Sequence, residues 1–304
     1  MSKILITDKI TPDAISVLRE KHEVEEFLDW KLEELLEKIK DFDALVVRSR
    51  TKVTKELIDA GKKLRIIARA GAGIDNIDKD YAESKGIQVL NTPTANLLSV
   101  AELTLGLAIA LLRHIPRADR GMRQGLWEKK KLRGSEISGK KWGIIGLGNV
   151  GRLVVGLLKG FNCDILTYDP YVSKETAVGL GARSVSLDEL LRECDIISIH
   201  VPLLDSTRGL IGARELSMMK DSAVLINTSR GGIVDESALY EALRKNKIRG
   251  AALDVFENEP PGDSLLLTLE NTVYTCHLGA NTSDALDRVS KEVAEKLLKA
   301  LEPV

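Results

Sequence analysis

The sequence predicts an α/β protein built on two parallel sheets. Short β-rich runs alternate with amphipathic helical stretches from end to end, the pattern of parallel strands joined by crossover helices. The strand signals fall into two series parted by a long helical stretch. At 304 residues the chain also exceeds what one compact domain usually holds, so two domains are expected.

In the first series, KILIT, ALVVRS, LRIIARA and IQVLN are predicted strands, because Ile, Leu and Val dominate short runs bounded by charged or turn residues. The stretches from Pro12 to Lys21 and from Leu32 to Lys40 are the helices between them. Asn96 to Arg133 has few strand signals and is broken by Pro116, Gly121 and Gly125, so it reads as a linking helix pair. Its most apolar part, Leu97 to Leu112, is short for a bilayer and carries Glu102; a buried helix is expected. The second series comprises KWGIIGLG, DILTYD, DIISIHV, VLINTS, GAALDVF and NTVYTC. Within it, Gly179 to Val185 is predicted as a turn before a strand. The final segment, Ser283 to Leu301, carries Leu286, Val289, Val293 and Leu297 at helical spacing, and that face must be buried on one domain or the other.

Charge excludes several function classes. With 44 basic and 45 acidic residues there is neither a basic field for nucleic acid nor an acidic tail, and the expected partner is a small molecule. Cys163, Cys194 and Cys276 are far apart and never in a C-x-x-C pair, which suggests buried thiols in a reducing compartment and no zinc or other metal site. The start MSKILITDKI lacks the apolar core and cleavage site of a signal peptide, so a soluble cytoplasmic protein is expected, with no membrane partner.

The sharpest motif is WGIIGLGNVG, which places G-x-G-x-x-G at Gly146, Gly148 and Gly151 between an apolar strand and a helical run. In a Rossmann-like domain such glycines allow a tight turn, close approach of backbone to a pyrophosphate, and close helix packing, with phosphates at the positive helix N-terminus. The next strand ends in Asp169, about 20 residues on, where an acid can bond the ribose hydroxyls. A carboxylate there repels the extra phosphate of NADP and no arginine follows it, so the expected cofactor is NAD.

Three loops at the ends of the second-series strands carry groups suited to hydride chemistry. VLINTSRGG holds Arg230, GAALDVFENEP holds Glu259 with Asp254 near its strand end, and TVYTCHLGANT holds His277. Oxidising a 2-hydroxy acid needs a base for the hydroxyl proton, a cation for the carboxylate and a hydride acceptor. Imidazole gains and loses a proton near neutrality, and a carboxylate beside it favours the charged form. Arginine's planar fork can hold carboxylate and carbonyl oxygens together. Each residue alone has a plainer reading as a loop or turn residue; together, behind a dinucleotide fingerprint, they point to His277 as base, Glu259 as its partner and Arg230 as the anion holder.

The order GLGNVG, Asp169, HVPLLDSTRGLI, NTSRGGIVDESAL, GAALDVFENEPP and HLGANT strongly resembles the D-isomer-specific 2-hydroxyacid dehydrogenases over nearly the whole chain. VVRSRTKVT, RAGAGIDNID and NTPTANLLSVAELTLGL look most like the phosphoglycerate dehydrogenase branch of that family. The resemblance implies two Rossmann-like or flavodoxin-like domains with a cleft between them: a discontinuous substrate-binding domain at 1–95 plus 283–304, and an NAD-binding domain at 96–282 through which a homodimer forms. It matches Arg230, Glu259 and His277 to the catalytic set. To NAD contacts it matches Gly146, Gly148, Asn149, Val150, Gly151, Asp169, Val201, Pro202, Thr207, Thr228, Ser229, Arg230, Asp254, His277, Gly279 and Ala280. To substrate it matches Arg48, Ser49, Ala72, Gly73, Arg230 and His277. Two departures stand out: Cys276 where many members have proline, and a chain end at Val304 that leaves no room for a regulatory domain.

A phosphorylated substrate needs cations away from the nicotinamide. Arg48, Arg50, Lys52, Arg69, Lys129 to Lys131 and Arg133 are on offer, and Arg48, at a strand end, is the best placed. The expected reaction is NAD-dependent oxidation of 3-phospho-D-glycerate to 3-phosphohydroxypyruvate, the first step of serine synthesis. The alternatives are a glyoxylate or hydroxypyruvate reductase or another D-2-hydroxyacid dehydrogenase, and, more distantly, an NAD-sensing binding protein resembling a corepressor.

Overall fold

The structure, a computed structural model, describes residues 1–302, so the expectation drawn from Val304 lies outside it. The chain divides into two compact units, one formed by Met1–Leu97 with the residues from Ala280 onward, the other by Leu98–Gly279.

The first unit opens with β1 (Lys3–Ile6), α1 (Pro12–Arg19), β2 (Glu23–Glu26), α2 (Leu32–Lys38), β3 (Ala44–Val47), α3 (Lys55–Ala60), β4 (Ile66–Arg69), α4 (Lys79–Ser84) and β5 (Gln88–Asn91). Its sheet runs β2-β1-β3-β4-β5, with every pair parallel. The central strands are apolar apart from Lys3 and Arg69 at their ends because both faces are covered. Leu5, Leu45 and Ile67 meet Leu35, Leu57 and Ile58 on one face; Ile4, Val46 and Ala68 meet Ile15 and Leu18 on the other.

β2 is a strand the sequence did not reveal. Its residues, EVEE, include one apolar side chain, and only parallel pairing from Lys3↔Glu23 to Ile6↔Glu26 makes them extended. The edge position keeps these glutamates in water, where they form ion pairs with Lys3, Arg19 and Lys38 and discourage stray pairing.

The second unit contains α5 (Leu97–Leu112), α6 (Ile115–Arg123), β6 (Lys141–Ile145), α7 (Asn149–Leu158), β7 (Asp164–Tyr168), α8 (Lys174–Leu180), β8 (Arg183–Ser184), α9 (Leu187–Glu193), β9 (Ile196–Ile199), α10 (Ala213–Met218), β10 (Val224–Asn227), α11 (Glu236–Arg244), β11 (Gly250–Leu253) and β12 (Thr272–Tyr274). The α5–α6 break falls at His114, whose φ of 53° is left-handed, and not at Pro116. Pro116 instead sits in the first turn of α6, where its missing N–H is harmless. α5 is buried as expected through Ala101, Leu105, Ala108 and Leu112, which share an apolar layer with Trp142 and Ile144. Among the described residues no single helix is long and apolar enough to cross a membrane.

The second sheet runs β12-β11-β10-β9-β6-β7-β8, again parallel throughout. β6 lies between β7 and β9, so the direction of winding reverses at its end. Crevices that hold ligands open at such reversals, outside the carboxyl ends of the strands.

α12 (Ser283–Leu301) belongs to the first unit, packing on α1, β4 and β5. Val289, Val293 and Leu297 are buried as the spacing predicted, whereas Ala285, not the half-buried Leu286, takes the first inner position. Ser290 Oγ accepts the Thr11 N–H at 3.2 Å, and Lys296 donates to the Asn91 carbonyl at 2.8 Å.

Candidate active site

β6 ends at Ile145 and α7 starts at Asn149, so the three glycines span the turn and the first helical turn. Gly146 has a φ of +95°, and a Cβ there would stand 2.8 Å from Val201 Cγ1. A Cβ on Gly151 would lie 2.1 Å from the Gly146 carbonyl oxygen. Neither glycine tolerates a side chain without backbone movement. Gly148 differs, because a Cβ there would meet nothing within 4 Å. That open space at the helix start, with Asn149 and Val150 beginning the helix, fits a bound pyrophosphate.

Asp169 follows β7 and braces this turn. Its Oδ2 accepts the Leu147 N–H at 2.8 Å and its Oδ1 the Tyr171 N–H at 2.9 Å. Each carboxylate oxygen retains a further lone pair, so ribose hydroxyls can still donate to it. In the loop after β9, which holds Val201 and Pro202, the Thr207 hydroxyl donates to the Pro202 carbonyl at 2.6 Å and accepts the Leu204 N–H at 2.8 Å.

Beneath that loop lies a polar chain that sequence reasoning missed. Trp142 Nε1 donates to Ser198 Oγ at 2.9 Å, and His200 Nε2 lies 2.9 Å from the same oxygen. His200 Nδ1 is buried without a hydrogen-bond partner, and burial holds the imidazole far below its usual pKa, at about 3. The ring is neutral at physiological pH.

Arg230, Glu259 and His277 stand on three consecutive strand-end loops of the second unit. After β10, Asn227 shapes the first: its side chain accepts the Ser229 N–H at 3.0 Å and donates to the Arg230 carbonyl at 2.9 Å. Buried Thr228 shares a 2.8 Å hydrogen bond with Thr104 of α5, and Arg230 Nη1 donates to the Ser229 carbonyl at 2.8 Å. Glu259 Oε2 lies 2.7 Å from His277 Nδ1, while its Oε1 accepts the Phe256 N–H at 3.2 Å. Glu259 thus engages Nδ1, one of the two ring nitrogens.

Asp254 builds the histidine loop. It is 1% exposed, and its carboxylate accepts the Thr275 hydroxyl at 2.6 Å and the Leu278 and Gly279 N–H groups at 2.7 and 2.8 Å. Its carbonyl takes the N–H of His277, whose φ is 55°. A Cβ on Gly279 would crowd the loop, lying 3.2 Å from Asp254 Oδ2 and 3.3 Å from Val100. Asp254 thus holds the neighbouring histidine loop, a use that the sequence did not indicate.

In the first unit Arg48 follows β3, beside the loop after β1, where that sheet's winding also reverses. Its backbone N–H goes to Asp8 Oδ2 at 2.6 Å, and its guanidinium makes a long 3.5 Å contact with the Lys9 carbonyl. Burial lowers its pKa, opposed by Asp8. Arg50 is otherwise engaged: it pairs with Asp8 at 3.1 Å and lies 5.0 Å over the Trp30 ring. Exposed Ser49 stands between the two arginines. Asn76, not anticipated, bonds the Arg48 and Thr51 carbonyls at 2.7 and 2.6 Å and accepts from Arg69 at 2.9 Å. Asn91 donates to the Ala72 carbonyl at 2.7 Å, fixing the loop that carries Ala72 and Gly73. Ala280 also falls in this unit. Lys131 is paired with Glu128 at 2.8 Å on the surface of the second unit.

The cysteines differ from expectation. Only Cys194 is buried, with its thiol pushed up to about 12; Cys163 is half-buried, and Cys276 is exposed because it lies in the histidine loop. Among the described residues no group of three or more His, Cys, Asp or Glu is arranged to hold a metal.

Residues 105–279 match the profile described as D-isomer specific 2-hydroxyacid dehydrogenase, NAD binding domain. A D-3-phosphoglycerate dehydrogenase of Methanocaldococcus jannaschii is 50% identical over 99% of this chain and 58% of its own length. A hydroxypyruvate reductase of Thermotoga maritima is 47% identical over 98% of both chains. The chain spans little more than half the length of the phosphoglycerate dehydrogenases it matches. A D-lactate dehydrogenase from Aquifex aeolicus, solved with NAD and lactic acid, superposes with a TM-score of 0.83 at 29% identity, covering 98% of this chain and 94% of that one.

Proposed function

The chain belongs to the D-isomer specific 2-hydroxyacid dehydrogenase family, its second unit carrying the NAD-binding domain, and on that premise we propose that it oxidises 3-phospho-D-glycerate to 3-phosphohydroxypyruvate, the first step of serine synthesis. The observation that carries the chemistry is the 2.7 Å pairing of Glu259 with His277 Nδ1. His277 Nε2 takes the hydroxyl proton, Glu259 holds the ring, and Arg230 holds the carboxylate and the reacting oxygen. Bound NAD supplies the acceptor for the hydride leaving C2. Asp169 selects NAD over NADP, because its carboxylate would face the extra phosphate.

Arg48 is our candidate for the phosphate, supported by its place at a winding reversal and by a guanidinium whose hydrogen bond, among the described residues, is a long one to the Lys9 carbonyl. Ser49 and the backbone of Ala72 and Gly73 complete the proposed substrate contacts. A second reading, reduction of hydroxypyruvate or glyoxylate, is favoured by the reductase relative matched over the full length of both chains. The test is kcat/KM for 3-phosphohydroxypyruvate, hydroxypyruvate and glyoxylate with NADH. A preference of about 100-fold for the phosphorylated acid, roughly 2.7 kcal/mol, supports the first reading; equal or better use of the others supports the second.

We also propose a cytoplasmic homodimer joined through the second unit. Ile115, Met122, Leu126 and Trp127 are exposed there, Trp127 to 78%, and large apolar side chains gathered in this way are suited to a partner. Light scattering on the purified protein gives the mass that decides.

A further inference from the structure

We propose that Glu236 is a positioning residue for the Glu259–His277 pair: it clamps the peptide between Phe256 and Glu257 where Glu259 can reach the histidine. This rests on the catalytic reading given above. Glu236 opens α11, whose N-cap is supplied by Asp235 accepting the Ala238 N–H at 2.9 Å. Glu236 is therefore not needed as the cap. Its Oε1 instead accepts the Glu257 N–H at 2.6 Å, across 21 residues of sequence.

Other groups grip the same peptide. The backbone of Gly231, next to Arg230, lies directly on it: a Cβ at Gly231 would be 1.9 Å from the Phe256 oxygen and 2.5 Å from the Glu257 nitrogen. The preceding peptide is held as well, its Phe256 N–H donating to Glu259 Oε1 at 3.2 Å. Behind it, the buried Phe256 ring packs 5.8 Å from that of Tyr274, three residues before His277. The Arg230 loop, the Glu259 loop and β12, the strand that leads to His277, thus meet around Phe256, and Glu236 provides a side-chain acceptor there from α11.

The choice of a carboxylate has a cost. Burial raises the pKa of Glu236, and the charge of Glu257 adds to the rise. A carboxylate acceptor in a partly buried position is retained where a short, charge-assisted hydrogen bond is useful. Glu259 follows Phe256 by three residues, so a small rotation of the clamped peptide moves its carboxylate relative to His277. Misplacement by an ångström is enough to slow a proton transfer substantially.

The experiment compares Glu236→Ala with Glu236→Gln by amide exchange and by steady-state kinetics. In the alanine variant the Glu257 amide exchanges about tenfold faster or more, and kcat falls about tenfold with KM and the NADH dissociation constant within about twofold. The glutamine variant, which keeps a carbonyl acceptor, restores both exchange protection and kcat. Unchanged exchange in the alanine variant, unchanged kcat despite faster exchange, or a glutamine variant as poor as alanine each overturns the proposal. Wild-type inactivity, or full activity of His277→Gln, instead defeats the catalytic reading, and amide exchange still decides whether the clamp exists.

Discussion

Glu259 Oε2 and His277 Nδ1 are 2.7 Å apart, close enough to fix the ring and leave its other nitrogen for chemistry. His277→Gln is expected to abolish turnover while leaving NADH binding, followed by fluorescence, largely intact. Glu259→Gln keeps an acceptor without the charge; a kcat loss of about 100-fold with little change in KM is expected from general acid–base contributions. Retained turnover in His277→Gln would remove that residue from the mechanism.

Arg48 provides the discriminating test for the substrate. Arg48→Ala should raise KM for the phosphorylated acid by about tenfold or more, the loss of one charge-assisted contact, and should leave hydroxypyruvate and glyoxylate nearly unaffected. Equal effects on all three acids would return Arg48 to a general role in the β3 loop.

Asp169 braces Leu147, and in the proposed reading it also selects the cofactor. Asp169→Ala should weaken NADH binding and narrow the NADH to NADPH preference, both read by titration. If NADPH remains excluded as strongly as before, another group sets the preference.

Much of this arrangement was legible in the sequence, and the exceptions have physical reasons. Strand runs such as ALVV and GAAL are apolar throughout because both faces are covered, and two of the fingerprint glycines, Gly146 and Gly151, are fixed by contacts that leave no room for a Cβ. β2 was hidden because its extended form comes from β1 and not from its own residues. Asn227, Asn76, Asn91 and Glu236 were hidden for a related reason. Polar side chains that hold backbone groups carry no periodic pattern, and their partners lie from 2 to 28 residues away. Asp254 was placed correctly as a strand-end residue, while its three loop bonds became visible only in three dimensions.

Leu297, fully buried against β4 and α1, reports on the attachment of α12. Leu297→Ala is expected to destabilise the protein by about 2–5 kcal/mol, the usual range for a cavity of that size. Urea unfolding measures it. A loss under about 1 kcal/mol would mean that the helix is held by its polar contacts.

His200 makes stability depend on acid. Its folded pKa lies well below the ordinary 6.5, so on acidification the unfolded chain takes up a proton that the folded chain refuses. This contribution is full above about pH 6.5 and is lost as the pH falls below it, by at most about 1.4 kcal/mol per pH unit. His200→Asn should flatten the fall between pH 6.5 and 5 in urea unfolding. Parallel curves for the two proteins would show that other groups govern it.

The position of α12 also sets an order on synthesis. The five strands of the first unit leave the ribosome early, but the face that receives Val289, Val293 and Leu297 stays uncovered until nearly 200 further residues have followed β5. The second unit, continuous in sequence, can complete its own layers in that interval. The first part made is thus among the last finished, and a nascent chain halted before Ser283 presents a row of unprotected aliphatic side chains that chaperones are adapted to shield.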